Sequence, residues 1–327
     1  MTYYLAITID TECDKGEKWH VKQPLSFENI YKGVSCVLQP LFKEFGIKPT
    51  YLLSPEVIND KDSVSFFSSL GDKAELGTHL HSEFIEPKTS FDCIKTDHFQ
   101  TDFPSEIEWQ KLKNITELFK TAFHHAPRSF RAGRFGASNL TASFLEKLGY
   151  WVDSSVSPAR WWKSDLGTRV SYLGIDAYPY HPCDFDIKNS GALQIVEWPV
   201  TILNNLPASF RLSIIRHFNP FNRLQMAVLF RLVRLFGGDM GVRWLRPTYS
   251  TEEEMLSITK EMKANQHGHV FLNMMFHSNE FTVGTSPYSL DETSVQQNIK
   301  RLRGYFELIQ QTFDVHSIGM SEIKGLI

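Results

Sequence analysis

Cysteine is scarce in this chain: four in 327 residues, at Cys13, Cys36, Cys93 and Cys183. They lie far apart and match no paired spacing, which argues against a disulfide framework or a structural zinc knuckle. No run of about 18 apolar residues occurs, so no membrane-spanning helix is expected. The first residues, Met1 to Ile7, carry no basic n-region, long apolar h-region or cleavage site, and no signal peptide is expected. Free thiols without a leader point to the cytoplasm. Charge is nearly balanced at −3, so bulk charge gives no reason to expect a nucleic-acid partner. No glycine-rich loop follows the first apolar run, which counts against a dinucleotide site. Internal repeats and low-complexity tracts are also missing.

What the chain has is apolar content, 42% of its residues, enough at this length for a sizeable core. Short apolar runs alternate with amphipathic stretches. Strands are predicted at Tyr3–Ile9, Pro49–Leu53, Leu76–Leu80, Ser129–Arg131, Tyr150–Asp153, Gln194–Trp198, His269–Phe276 and Val315–Ile318. Helices are predicted at Phe27–Phe45, Ser63–Leu70, Ser105–Phe123, Asn139–Leu148, Thr251–Asn265 and Asp291–Phe313. Gly46, Gly71 and Gly149 serve as stops. Ser105 and Glu108 stand in capping-box register, and Ser250 or Thr251 caps the helix that follows them. Such alternation predicts an α/β fold, a parallel sheet with helices outside. About seven or eight strand–helix units suit a barrel better than a doubly wound sheet, and the expectation is one domain over 1–327.

Chemistry in such barrels sits at the C-terminal strand ends, and the candidate residues fall there. Gly77-Thr78-His79-Leu80-His81 carries two imidazoles two residues apart. On an extended strand both point the same way, as half of a metal site. Asp10 and Glu12 follow the first strand with the same spacing. Glu83 is a further possible ligand or a supporting acid. Arg131 and Arg134 suit the orientation of a carboxylate or of an anionic substrate group. Asp153 and His277 each close another strand.

In this order the motifs resemble those of the polysaccharide deacetylases of carbohydrate esterase family 4, with their NodB homology domain. Thr8-Ile9-Asp10-Thr11-Glu12 is similar to the first motif, and Glu75 to His81 to the second. Phe130-Arg131 with Phe135-Gly136 resembles the third, Gly149 to Asp153 the fourth, and Met275-Phe276-His277 the fifth. Three departures stand out. Thr11 occupies the usual ligand position, Glu83 stands four after His79, and the third motif lacks its proline. These features resemble the divergent branch of lipopolysaccharide and other surface-glycan biosynthesis. The resemblance implies a distorted (β/α)7-type barrel and metal-dependent deacetylation of an acetylated glycan or sugar, lipid-linked in some members. It assigns Glu12, His79 and His81 to a divalent metal, Zn²⁺ foremost, with Co²⁺, Mn²⁺ and Fe²⁺ as the other candidates. It makes Asp10 the general base, oriented by Arg131, and His277 the general acid, held charged by Asp153. The alternatives are hydrolysis of another amide or of an O-acetyl ester, and a catalytically weakened glycan-binding domain. Amidohydrolase barrels also use His-x-His, but on the first strand rather than after two.

From Trp198 to Gly238 the chain has no acid and five arginines: Arg211, Arg216, Arg223, Arg231 and Arg234. Asn222–Phe236 is helical in period, and Arg223, Arg231 and Arg234 fall within about 80° of one another. Residues 203–248 therefore form an Arg-rich amphipathic insertion. It either packs on the barrel wall with its arginines outward or makes peripheral contact with a membrane through 207–236.

Overall fold

The computed structural model describes residues 1–21, 23–89, 98–205 and 212–327, apart from the side chains of 212 and 213. Cys93 and Arg211 lie outside the described residues, as does the start of the membrane-contact segment. Eight parallel strands form the main sheet: β1 (Thr2–Thr11), β2 (Pro49–Leu53), β3 (Glu75–Leu80), β4 (Ser129–Ala132), β5 (Val152–Asp153), β6 (Val196–Glu197), β7 (His269–His277) and β8 (Asp314–Ser317). Their order is β6-β5-β4-β3-β2-β1-β7. β7 pairs with β1 from Thr2 to Asp10. On the other flank of β1, β8 takes Thr2–Leu5 and β2 takes Ile7–Thr11. The chain leaving β6 joins the two ends of the sheet. Thr201 N donates to the Asn273 carbonyl at 2.9 Å, Asn273 N donates to Thr201 Oγ1 at 2.8 Å, and Asn273 Nδ2 donates to the Trp198 carbonyl at 2.9 Å. The result is an α/β barrel, as the alternating pattern predicts, in the distorted seven-unit form that the resemblance implies.

The helices are α1 (Gln39–Phe45), α2 (Pro55–Asn59), α3 (Lys61–Leu70), α4 (Ser105–Phe123), α5 (Thr141–Leu148), α6 (Leu212–Ile215), α7 (Arg223–Leu235), α8 (Glu252–Glu261) and α9 (Glu292–Thr312). A π-helical stretch, Asn29–Leu38, runs straight into α1, so the predicted Phe27–Phe45 helix is a composite of two geometries. Asp60 caps α3 by accepting from Ser63 N, and Thr251 and Glu254 form a capping box on α8. The box expected from Ser105 and Glu108 does not form. Pro104 takes the cap position, and Glu108 turns inward to accept from Gln100, Ser138 and Thr141. Helix α8 stops at Glu261, short of the predicted Asn265.

Period-two alternation gives the strands two buried faces. Leu5, Ile7 and Ile9 face outward into the large core under the helices, with Leu112, Ile115, Phe119, Leu302 and Phe306. Ala6 and Leu52 face inward with Val152, Val196, Trp198 and Phe271, over a plug made of Ile318, Met320 and Ile323. The apolar floor therefore fills only the lower barrel. Above it the interior turns polar at Thr8, Arg131, Ser154 and Asn273, which hydrogen-bond one another. This arrangement leaves the C-terminal end of the barrel to chemistry.

Three antiparallel ribbons sit outside the barrel: Trp161–Lys163 with Arg169–Ser171, Pro182–Cys183 with Asp186–Ser190, and Ile202–Asn204 with Val242–Trp244. The last ribbon is the stem from which α6 and α7 project. No described helix is long and apolar enough to cross a membrane. Cys13, Cys36 and Cys183 are free thiols.

Candidate metal centre and cleft

Strand register brings the site together. On β1, Ala6, Thr8 and Asp10 share the inner face, and Glu12 continues that row past the strand end. His79 stands opposite Arg131 in the β3–β4 pairing, and Asp10 opposite His277 in the β1–β7 pairing. Gly77 allows β3 and β4 to approach closely: a Cβ there would lie 2.3 Å from Ser129 Oγ and 2.5 Å from the Ser129 carbonyl oxygen. Gly133 does the same one turn later, where a Cβ would lie 2.6 Å from the Leu80 carbonyl oxygen. These contacts seat His79 and His81 beside the chain that leaves β4.

Glu12, His79 and His81, all buried, converge. Glu12 Oε1 is 3.1 Å from His79 Nε2 and 2.5 Å from His81 Nε2, and the two Nε2 atoms are 3.2 Å apart. The outer nitrogens indicate which tautomers are present. His79 Nδ1 faces the Arg131 carbonyl at 3.0 Å, an acceptor that requires Nδ1–H and leaves a lone pair on Nε2. His81 Nδ1 lies between Arg134 Nη1 at 3.1 Å, which can only donate, and Glu83 Oε1 at 3.3 Å, which can only accept, so its outer nitrogen singles out neither tautomer. The two imidazole Nε2 atoms and a carboxylate oxygen then point at one small volume. Atoms so close need positive charge among them, a proton or a cation, and two imidazoles with a carboxylate form a fitting donor set for a divalent ion. The nearby charges act on both groups. Burial opposes ionisation of Glu12, but Lys15 and His81 hold its carboxyl well below the ordinary range. Burial and Lys15 disfavour a charged His81, yet Glu12 and Glu83 draw its pKa upward. Lys15 Nζ contacts the other Glu12 oxygen at 2.5 Å and so fixes the carboxylate rotamer. Glu83 lies behind His81 rather than within the cluster. It accepts from Arg134 Nη2 at 2.8 Å, and Arg134 with His81 keeps it ionised against its burial.

Asp10 stands next to this cluster. Its Oδ1 accepts from Arg131 Nη1 at 2.6 Å, while its Oδ2 lies 3.8 Å from His79 Nε2 and 3.9 Å from His277 Nε2. Arg131 is fully buried, and it also donates to the Ser154 carbonyl, Ser154 Oγ and Thr8 Oγ1 at 2.7–3.0 Å. Burial would raise the Asp10 pKa, but Arg131, His79 and His277 more than offset it and hold it below the ordinary value.

His277 is 17% exposed and faces the opening. Its Nδ1 is 2.9 Å from Glu280 Oε1, and Glu280 is clamped in turn by buried Arg246. The sequence reading assigned the role of supporting His277 to Asp153. The structure gives that place to Glu280. Asp153 follows the inward-facing Val152, so its side chain leaves the other face of β5, where Oδ1 accepts from Ser155 Oγ at 2.5 Å. There it meets Glu197. Burial raises both: Asp153 to about 6, against the hydrogen bonds from Ser155 and Glu197, and Glu197, which the Asp153 charge also repels, well above the ordinary carboxylate.

The centre opens into a cavity of about 520 Å³, lined by Asp10, Glu12, His81 and His277 and walled by Trp19, Trp162, Trp244, Tyr249 and Tyr288. Trp19 lies 5.0 Å from His277 between ring centroids, and Arg246 packs within 5.4 Å of the Trp244, Tyr249 and Tyr288 rings. Sequence reasoning missed Lys15, Glu280 and Arg246. For Glu280, three residues after His277 on the same strand end, spacing was the available signal. Arg246 is far from the strand ends in sequence and gave none.

No family model matches the chain, and no curated protein matches it. Solved structures do resemble it. A GH57-type branching enzyme from the hyperthermophilic archaeon Pyrococcus horikoshii aligns at a TM-score of 0.52 and 12% identity, over 98% of this chain and 69% of that one. A Mycobacterium smegmatis protein described as a polysaccharide deacetylase aligns at 0.49 and 13% identity, over 99% and 90%. Puue allantoinase aligns at 0.48 and 13% identity, over 99% and 89%. At such identities the branching-enzyme match establishes the barrel fold alone.

Proposed function

We propose that the chain, read as one barrel over 1–327 with an insertion at 203–248, is a metal-dependent N-deacetylase of an acetylated sugar in the assembly of lipopolysaccharide or another surface glycan. One observation carries this reading. The three-donor cluster, an ionised acid beside it and an exposed imidazole all face a single aromatic-walled cleft. Glu12, His79 and His81 would hold the ion, Zn²⁺ by preference. When bound, it supplies Lewis acidity toward an acyl oxygen and makes water more acidic.

The chain's own groups do the rest. Asp10, kept ionised and oriented by Arg131, offers Oδ2 to take a proton from the attacking water. His277 faces the same space from the other side and gives a proton to the departing sugar nitrogen. Glu280 accepts the His277 Nδ1–H, which fixes the ring and presents Nε2 to the cleft. Trp19, Trp162 and Trp244 offer flat apolar faces to a pyranose ring. A lipid carrier on the sugar and contact of the insertion with a membrane belong to the same proposal.

The test pairs elemental analysis with acetate release from N-acetylhexosamine oligosaccharides. We expect about one divalent ion per chain and acetate released in step with metal content. His79→Ala should abolish both. Zinc-free His79→Ala protein with full activity would refute the proposal. Metal-loaded protein that binds glycan without releasing acetate would make it a glycan-binding domain.

A further inference from the structure

Helix α7 has two apolar faces. Met226, Leu229 and Val233 are buried against Leu173 and Ile215. On the opposite side Leu224, Val228, Arg231 and Leu235 fall within about 60° of one another. Leu224 is 75% exposed and Leu235 78%, with Val228, Phe230, Leu232 and Phe236 also open to solvent. Exposed apolar groups in such a cluster mark a contact surface. The charge along the helix has one sign, with Asp239 the acid that lies beside Phe230 and Arg234 at its far end. Arg223 and Arg234 flank the cluster, Arg231 lies inside it, and the sequence holds no acid between Trp198 and Asp239. Asn222 caps the helix by accepting from Leu224 N and Gln225 N, so the face is held in shape.

The helix is tied to the cleft. Trp161 packs on the α7 cluster, and the next residue, Trp162, stacks on Phe135 in the cleft wall at 5.7 Å. The ribbon that returns from the insertion ends at Trp244, another wall residue. The buried face of α7 is therefore linked to the cleft wall through neighbouring residues, and its outer face looks away from that packing.

We infer that the outer face of α7 docks on the surface of an anionic lipid bilayer, so that the barrel is held where it can act on a glycan carried at that surface. Apolar residues interspersed with arginines match acyl chains beneath anionic headgroups. A second copy of this chain would meet the same arginines with its own, so charge favours the bilayer. Docking stands on the helix alone; its catalytic consequence rests on the deacetylase reading.

Flotation tests the inference with the full chain and vesicles of phosphatidylcholine containing roughly one-quarter phosphatidylglycerol. We expect binding at about 0.1 M salt that weakens toward about 1 M, and little binding to phosphatidylcholine alone. Leu224→Asp with Leu235→Asp should weaken binding on the order of a hundredfold, and Arg231→Gln with Arg234→Gln on the order of tenfold. All four positions are exposed, and acetate release from a soluble oligosaccharide should be unchanged in both variants. Release from a lipid-carried glycan in those vesicles should fall with binding. No flotation of the wild type, or flotation indifferent to both variants, would overturn the inference. So would a wild-type dimer in sedimentation that the leucine variants dissociate. Flotation without acetate release from either substrate supports docking and refutes the deacetylase reading instead.

Discussion

Replacing Asp10 by Asn separates the two roles open to a carboxylate beside a metal. The substitution keeps shape and keeps an oxygen for Arg131 Nη1, now 2.6 Å away. It removes the charge. Arg131 retains its other three hydrogen bonds, to Thr8 Oγ1 and to the two Ser154 oxygens. The stability cost is therefore the charge-assisted part of one buried contact, about 1–3 kcal/mol, rather than the larger loss from an unpartnered guanidinium. Metal content should not change, because Asp10 Oδ2 lies 3.8 Å from His79 Nε2 while the three donors lie 2.5–3.2 Å from one another. Turnover should fall. An amide nitrogen between two imidazoles takes up no proton, and loss of a general base costs ~10²–10⁴ in rate. At about 1.36 kcal/mol per tenfold this is roughly 3–5 kcal/mol of barrier. Three measurements on one preparation decide the matter: metal stoichiometry, thermal melting and acetate release. A D10N protein that has lost its metal would make Asp10 a ligand. One with wild-type turnover would refute its role as base.

Lys15→Met should destabilise the metal-free protein by about 3–5 kcal/mol, because it strands the buried Glu12 carboxylate; added Zn²⁺ should restore much of the lost melting temperature. Glu280→Gln should leave metal content intact and lower turnover roughly ten- to hundredfold, with Glu280→Ala worse because Arg246 then faces His277 unopposed. Asp153 and Glu197 titrate above their unfolded values, so the folded chain holds protons that the unfolded chain has already lost. Their contribution to stability is therefore greatest at low pH and declines as pH rises from about 4 through about 6. Glu197→Gln should flatten that slope and raise stability at pH 8 by roughly 1–3 kcal/mol, seen in melting curves across pH.

The barrel was legible in the sequence because its strands are buried on both faces and punctuated by glycine. Gly46 and Gly149 end α1 and α5 in left-handed conformations, at φ of 64° and 90°, where the pattern placed the stops. The three ribbons were not legible. Their strands run only two to five residues and carry no period that a sequence can express. Glu108 misled for a related reason. A capping box needs Ser105 at the cap, with its own N–H donating to Glu108; the helix instead starts one residue earlier, with the cap at Pro104, which has no N–H to give.

The site divides along the same line. Residues whose direction follows from strand parity pair by spacing alone, Asp10 with Glu12 and His79 with His81, whereas Arg131 beside Asp10 was an expectation of the family resemblance. The acid beside His277 depended on parity in the opposite sense. If Val152 packs on the floor, Asp153 has to leave the other face, and the imidazole needs an acceptor from elsewhere. Glu280 supplies one because the turn after β7 folds back on itself, so that its carboxylate accepts from the His277 backbone N at 2.9 Å as well as facing the ring. A carboxylate held by the backbone of the residue it serves needs no partner strand. The pairing therefore does not involve β5, and His277 is positioned by its own strand end and by Arg246 rather than by the far side of the barrel.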